Sequence, residues 1–278
     1  MCKDCGCGIV GEVSIGGQPG SQVTSPLLNS LVAAGHTHGG GPEPEHEHPH
    51  EHPHEPHPPG HQTVTVQRSL LEKNARLAER NRGFFRAKRL LVLNVVSSPG
   101  SGKTTLIQQT ATGLAGRLRL GVIVGDLATD SDAARLRTAG IPVVQITTGT
   151  VCHLEADMVS RAAGQLDLDA LDVLVIENVG NLVCPAAYDL GEDLRVVLLS
   201  VTEGEDKPLK YPPMFHSADV AVVTKCDLAE AAGFDREKAL TNLKRISHHA
   251  RVFELSARTG QGMPPWLDFL VQQRASRG

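Results

Sequence analysis

An α/β fold with a doubly wound, mostly parallel sheet is what the sequence predicts for residues 90–278. Seven short apolar runs rich in β-branched residues recur along that segment: LLVLNVVSS, LGVIVGD, IPVVQIT, DVLVIENV, RVVLLSV, DVAVVTKCD and ARVFELSA. Helix-like stretches separate most of them, and PPWLDFLVQQRA follows the last. The runs are apolar at consecutive rather than alternate positions, as in strands covered by helices on both faces.

Two further segments precede this domain. Residues 1–62 are rich in Gly, Pro and His and have no sustained period. They cannot bury enough apolar surface to offset their conformational entropy, so a disordered tail is expected. Over residues 63–89 the pairs Leu70/Leu71, Leu77/Ala78 and Phe84/Phe85 recur seven apart with charges between them. That spacing predicts an amphipathic helix packing on the domain.

Composition excludes several function classes. The net charge is −4 and aromatics are 3%, so neither a basic surface nor stacking platforms argue for nucleic acid. No apolar run reaches the roughly 18 residues of a membrane helix, and no signal-peptide core stands at the N-terminus. A cytoplasmic location is expected. There the six cysteines are reduced thiols or metal ligands rather than disulfides.

The first run leads into NVVSSPGSGKTTL, where Gly100-Ser101-Gly102-Lys103-Thr104-Thr105 contains the G-K-[ST] core of a Walker A loop. Small residues let backbone N–H groups close around a phosphate, and the helix that follows adds its dipole. Lys103 would reach the terminal phosphates, and the Thr104 hydroxyl would ligate Mg²⁺. Ser97 occupies the position usually held by the first glycine.

Guanine presents N1–H and a 2-amino group, which a carboxylate can accept. In VVTKCDL, Asp227 can take that edge while the Lys225 stem covers the ring. Thr224 replaces the usual Asn, at an expected cost of about 1 kcal/mol. One strand later, Ser256-Ala257 in ELSARTG fits a loop whose backbone meets guanine O6. Asp126 in VGDLATDSD and Glu177 in IENVGN end strands at the ligand edge of an open sheet, where both could hold Mg²⁺. Gly180 could offer its N–H to the γ-phosphate. Asp130 and Asp132 read as helix caps. No residue stands out as the base that positions water, so slow hydrolysis is expected.

Two groups of soft ligands flank these loops. MCKDCGCG brings Cys2, Cys5 and Cys7 within six residues, with Gly6 permitting a sharp turn. Three thiolates plus the terminal amine suit square-planar Ni(II); the same C-x-x-C spacing also serves zinc and redox sites. Inside the domain, Cys152-His153 lies in TTGTVCHLEADM and Cys184 in the stretch that begins with Glu177. A metal held there would feel the nucleotide state; the alternative is two buried cysteines acting as small hydrophobes, the reading adopted for Cys226. Nine of the thirteen histidines fall between His36 and His61, His46, His48, His50, His52 and His54 among them. Neutral imidazoles on a hydrated Glu/Pro-rich strand suit a buffer holding several Ni, Zn or Cu ions. A plain linker is the alternative.

These stretches, with GDLATDSDA, ENVGNLVCPAAYDLGE and SVTEGEDKPLKYP, resemble the HypB family of hydrogenase nickel-incorporation GTPases over nearly the whole chain. The resemblance implies a SIMIBI-like P-loop NTPase with GTP/GDP, Mg²⁺ and Ni²⁺ as cofactors, and Zn²⁺ as an alternative metal. It implies a homodimer when GTP is bound, and work with a HypA-type nickel/zinc protein on the [NiFe]-hydrogenase large-subunit precursor. By the same resemblance Cys2, Cys5 and Cys7 form a tight nickel clip, and Cys152, His153 and Cys184 a weaker nickel-or-zinc site. Lys103, Thr104, Asp126 and Glu177 meet phosphate and Mg²⁺, while Lys225 and Asp227 meet the base. The expected function is nickel delivery gated by GTP. Two other readings compete: nickel storage on a scaffold-only GTPase domain, and a small-metabolite kinase, for which the sequence offers no basic lid.

Overall fold

The computed structural model describes residues 13–16, 18–19 and 60–277. In chain order the main elements are β1 (Ser14–Ile15), β2 (Gln18–Pro19), α1 (Gly60–Ala87), β3 (Leu91–Val96), α2 (Lys103–Leu114), β4 (Leu120–Asp126), α3 (Ser131–Thr138), β5 (Val143–Thr147), α4 (Ala156–Ala163), β6 (Val173–Glu177), β7 (Leu194–Ser200), α5 (Lys207–Lys210), α6 (Pro212–His216), β8 (Val220–Thr224), α7 (Arg236–Ile246), β9 (Arg251–Glu254) and α8 (Met263–Ala275). Strands β3 to β9 are the seven predicted runs, in order.

The sheet order is β2-β1-β5-β4-β6-β3-β7-β8-β9. From β5 to β9 every pairing is parallel. The chain starts near the middle at β3, builds outward to β5, returns through β6 and then builds the other half. Strand ends therefore line up along one carboxyl edge, where open α/β sheets bind ligands.

Alternate residues of each strand enter different cores, because side chains alternate across a pleated strand. On one face Leu93, Val95, Val122 and Val175 pack against Leu106 and Leu114 of α2 and Trp266 and Phe269 of α8. On the other, Val92, Ile123, Leu174 and Ile176 meet Phe85 of α1 and Met158 of α4. A third cluster seats Met214, Phe215 and Leu243 on Val197 and Val223. Two apolar faces explain the unbroken apolar runs in the sequence.

Two elements differ from expectation. Helix α1 starts at Gly60, and its buried stripe is Asn74, Ala78, Asn81 and Phe85 rather than whole apolar pairs. Adjacent residues point about 100° apart on a helix, so Phe85 is buried while Phe84 stays 48% exposed. Within the segment expected to lack structure, β1 adds antiparallel to β5, pairing Ser14 with Thr147 and Ile15 with Ile146. Burial of Val13 and Ile15 holds it there. Among the described residues no helix is long and apolar enough to cross a membrane.

Candidate nucleotide and metal site

The loop after β3 turns on two left-handed glycines, Gly100 at φ 74° and Gly102 at φ 98°. A side chain is strained in that region, so glycine permits the tight cradle. Gly102 caps α2, and Lys103 and Thr104 occupy its first turn. Ser97 keeps a role in place of the usual glycine: its hydroxyl accepts from Lys103 Nζ at 3.2 Å. Burial lowers the Lys103 ammonium below its usual range, opposed by the charges of Glu177, Asp132, Glu203 and Asp126.

Thr104 Oγ1 donates to Glu177 Oε1 at 2.8 Å. Glu177 is buried, which pushes its carboxyl up to about 7 against the pull of Lys103 and the Thr104 hydrogen bond. Its Oε2 is buried with no hydrogen-bond partner. An orphaned buried carboxylate oxygen beside a hydroxyl is a donor set that fits a hard divalent cation such as Mg²⁺. Asp126 Oδ1 accepts from the Ala128 and Thr129 N–H groups at 3.0 and 2.9 Å, which braces the turn after β4. Asp130 stands at the N-cap of α3 without a side-chain cap hydrogen bond, contrary to the cap expectation. Asp132, in the first turn of α3, acts on Lys103 and Glu177 more strongly than Asp126 does.

Next to this cradle lies a cleft of about 500 Å³ lined by Gly102, Thr105, Lys225, Asp227, Ser256 and Ala257. Thr224, buried at the end of β8, donates Oγ1 to the Ser101 carbonyl at 2.8 Å. Threonine thus braces the phosphate loop from the position where the usual motif has Asn. Lys225 adopts φ 59°, and its Nζ donates to the Gly100 carbonyl at 2.7 Å. Its Cε stands 3.9 Å from where a Cβ on Gly102 would be, and both residues line the cleft. Ser256 fixes the facing loop by accepting from Thr259 N at 3.2 Å. Cys226, half-buried, gives its thiol to the Val223 carbonyl and packs with the apolar cluster on β7 and β8, as a small hydrophobe does.

The third constellation sits at the same sheet edge. Cys152 Sγ and Cys184 Sγ are 2.8 Å apart. One ligand atom from each of Cys152, His153 and Cys184 lies within 4.8 Å of the others, the one such group of three among the described residues. Both His153 nitrogens are buried without a hydrogen bond, and burial lowers the imidazole to about 4, so the ring is neutral. Neutral imidazole and soft sulfur suit Ni²⁺ or Zn²⁺. The His153 ring lies 3.9 Å from that of Tyr188. Cys2, Cys5, Cys7, His46, His48, His50, His52 and His54 lie outside the described residues.

The CobW/HypB/UreG nucleotide-binding domain family matches residues 91–254. Hydrogenase maturation factor HypB of Azotobacter vinelandii is 44% identical over the full chain and 94% of its own length. HypB of Escherichia coli K12 is 49% identical over 79% of this chain and 77% of its own. The chain belongs to the HypB family. The crystal structure of HypB from Helicobacter pylori in complex with nickel superposes with a TM-score of 0.71, at 40% identity, over 73% of this chain and 96% of that one. HypB of Archaeoglobus fulgidus gives 0.69 at 41% identity, over 73% and 99%. The doubly wound P-loop fold expected from the sequence is the fold of these HypB structures.

Several residues of this HypB-family site escaped the sequence reading. Glu203 accepts from Ser101 Oγ at 2.9 Å, and Lys207 Nζ donates to Ser98 Oγ at 3.3 Å, so the loop after β7 also touches the phosphate cradle. Both stand in SVTEGEDKPLKYP, where the clustered charges were the available signal. Asn178, Asn181 and Tyr188 lie inside ENVGNLVCPAAYDLGE, but residue type alone gives them no role; their contacts with Asn94, Cys152, His153 and Leu154 come from distant parts of the chain.

Proposed function

We propose that this HypB-family protein is a GTP-hydrolysing nickel metallochaperone whose hold on its metal cargo follows the nucleotide state. The observation that carries the reading is one segment, 177–184. It begins at Glu177, hydrogen-bonded to Thr104 of the phosphate loop, and ends at Cys184, against Cys152. Between them Gly180 packs on that loop, where an added Cβ would stand 3.0 Å from Pro99 Cγ.

The cradle assigns a task to each side chain. Backbone groups of Gly100 to Thr105 and the Lys103 ammonium would bind the phosphates. Asp227 and the Lys225 stem would select and cover guanine, with Ser256 and Ala257 shaping the O6 side. Thr104 and Glu177, with Asp126, would hold Mg²⁺, which neutralises phosphate charge when bound. Gly180 would meet the γ-phosphate, and its movement would reach Cys184 four residues on. The cargo Ni²⁺ would be taken by Cys152, His153 and Cys184, with Zn²⁺ as a second occupant. Cys2, Cys5 and Cys7 would form a tighter nickel site, with the His46–His54 tract a reservoir.

The exposed apolar residues Leu127 and Val183 stand beside Asp126 and Cys184. They support pairing of two GTP-bound copies across this edge. Delivery in the cytoplasm, with a HypA-type protein and the hydrogenase large-subunit precursor as partners, completes the reading. The test is a Ni²⁺ titration of the full chain with GDP and with a non-hydrolysable GTP analogue, following stoichiometry and oligomeric mass together. Delivery gated by GTP requires metal affinity to differ between the two. Equal affinity with no GTP hydrolysis would leave a storage protein.

A further inference from the structure

A chain of buried polar side chains crosses the sheet interior beneath the Cys152–His153–Cys184 set. Asn178, directly after Glu177, accepts from Leu154 N at 3.3 Å, one residue past His153. Its Nδ2 donates to Asn94 Oδ1 at 3.2 Å. Asn94, in the middle of β3, donates to Glu192 Oε1 at 3.0 Å. That oxygen also accepts from Arg195 Nε and Nη2 at 3.0 and 2.8 Å, while Oε2 accepts from Leu190 N at 2.7 Å. Arg195 then gives Nη1 to the Ala186 carbonyl at 3.2 Å and Nη2 to the Tyr188 carbonyl at 2.8 Å. None of Asn94, Asn178, Glu192 and Arg195 exceeds 8% exposure.

Both ends of this chain stop at the loops that carry the three metal-ligand candidates. Leu154 N anchors the Cys152–His153 side. Ala186 and Tyr188 belong to the turn that starts at Cys184, and the Tyr188 ring covers His153. A buried ion pair is poor value for stability alone, since apolar residues of similar volume often do as well or better. What a satisfied network supplies is fixed geometry. The planar guanidinium is suited to that: it reaches two carbonyls and a carboxylate at once, which an ammonium cannot do in the same plane.

We propose that Asn178, Asn94, Glu192 and Arg195 form the positioning frame of the internal metal site, with Arg195 setting the Cys184–Tyr188 turn against Cys152 and His153. Arg195 touches neither nucleotide-site residues nor the metal ligands' own side chains, so it is a positioning residue. The inference rests on the reading of Cys152, His153 and Cys184 as a metal site, and it adds what holds that site in shape.

The test uses the full chain with Cys2, Cys5 and Cys7 replaced by Ala. The thiolate-to-nickel charge-transfer band then reports the internal thiols and not the histidine tract. Arg195→Lys is titrated with Ni²⁺ alongside its parent, and GDP binding and GTP turnover are measured on both. The frame predicts a half-saturation point raised about tenfold or more, the range seen when outer-shell partners of a metal site are lost, with GDP binding and turnover within about twofold. Asn94→Leu, which cuts the link between Asn178 and Glu192 at similar volume, is measured in parallel. It decides the matter if Arg195→Lys no longer binds GDP. A midpoint and band shape unchanged in the variant that binds GDP would overturn the frame. A parent without any band would instead remove the metal-site reading itself.

Discussion

The Asn181 side chain donates to the Cys152 carbonyl at 3.3 Å and accepts from the Val183 N–H at 2.8 Å. One amide thus ties the loop carrying Cys152 to the residue before Cys184. Asn181→Ala removes both bonds. The expected outcome is a Ni²⁺ affinity at the internal site lower by about tenfold, with GDP binding kept; isothermal titration of both ligands checks it.

Gly180 packs on the phosphate loop. An added Cβ would meet Pro99 Cγ at 3.0 Å and the Pro99 backbone at 3.1 Å. Backbone cannot swing aside as a flexible side chain can, so Gly180→Ala should displace the loop at a cost of about 1–3 kcal/mol. GDP affinity measured by fluorescence of a labelled analogue is expected to fall about tenfold or more. Affinity equal to that of the parent chain would show that the contact relaxes freely.

Glu177 gives a pH-dependent prediction for the metal-free, nucleotide-free protein. Burial raises its carboxyl from 4.5 to about 7. A raised folded-state value penalises folding above the unfolded value: the penalty is absent below 4.5, grows through the window and is complete above about 7. Glu177→Gln should therefore stabilise the apo protein at pH 8, on the order of 1–3 kcal/mol, and show little gain at pH 4. Thermal melts in chelator at the two pH values measure it. The same variant should lose Mg²⁺-dependent nucleotide binding.

In the proposed reading Asp227 selects the base, while the Thr224 brace beneath it serves either nucleotide alike. Asp227→Asn replaces an acceptor carboxylate and should lower GDP affinity by about 1.5–3 kcal/mol, narrowing the gap between GDP and ADP in a thermal-shift assay. Thr224→Val deletes the bond to the Ser101 carbonyl. It should weaken both nucleotides together by about 1 kcal/mol, without changing their ratio.

Replacing Cys2, Cys5 and Cys7 by Ala should abolish the tightest Ni²⁺ site and leave GTP turnover intact. Deleting residues 36–61 should lower the stoichiometry by several ions while sparing that site. Mass spectrometry of the nickel-loaded protein reads both; a tight site that survives the Ala changes would move the clip elsewhere.

The sequence by itself determined whatever depends on local order. Unbroken apolar runs foretold strands covered on both faces, and spacing inside NVVSSPGSGKTTL and VVTKCDL foretold the turns after β3 and β8, because a few contiguous residues must make each turn. Only the tertiary structure decided what joins remote segments. Asn94 stands in an apolar run with no motif to single it out; it is the link between Asn178 and Glu192. Asp132 read as a cap because a first-turn acid usually is one, yet its charge acts across space on Lys103 and Glu177. The hairpin of β1 and β2 went unseen because two-residue strands have no period, and only the open edge of β5 gives them a partner. Hydrogen bonds and charges act through distance in space, and folding alone sets that distance.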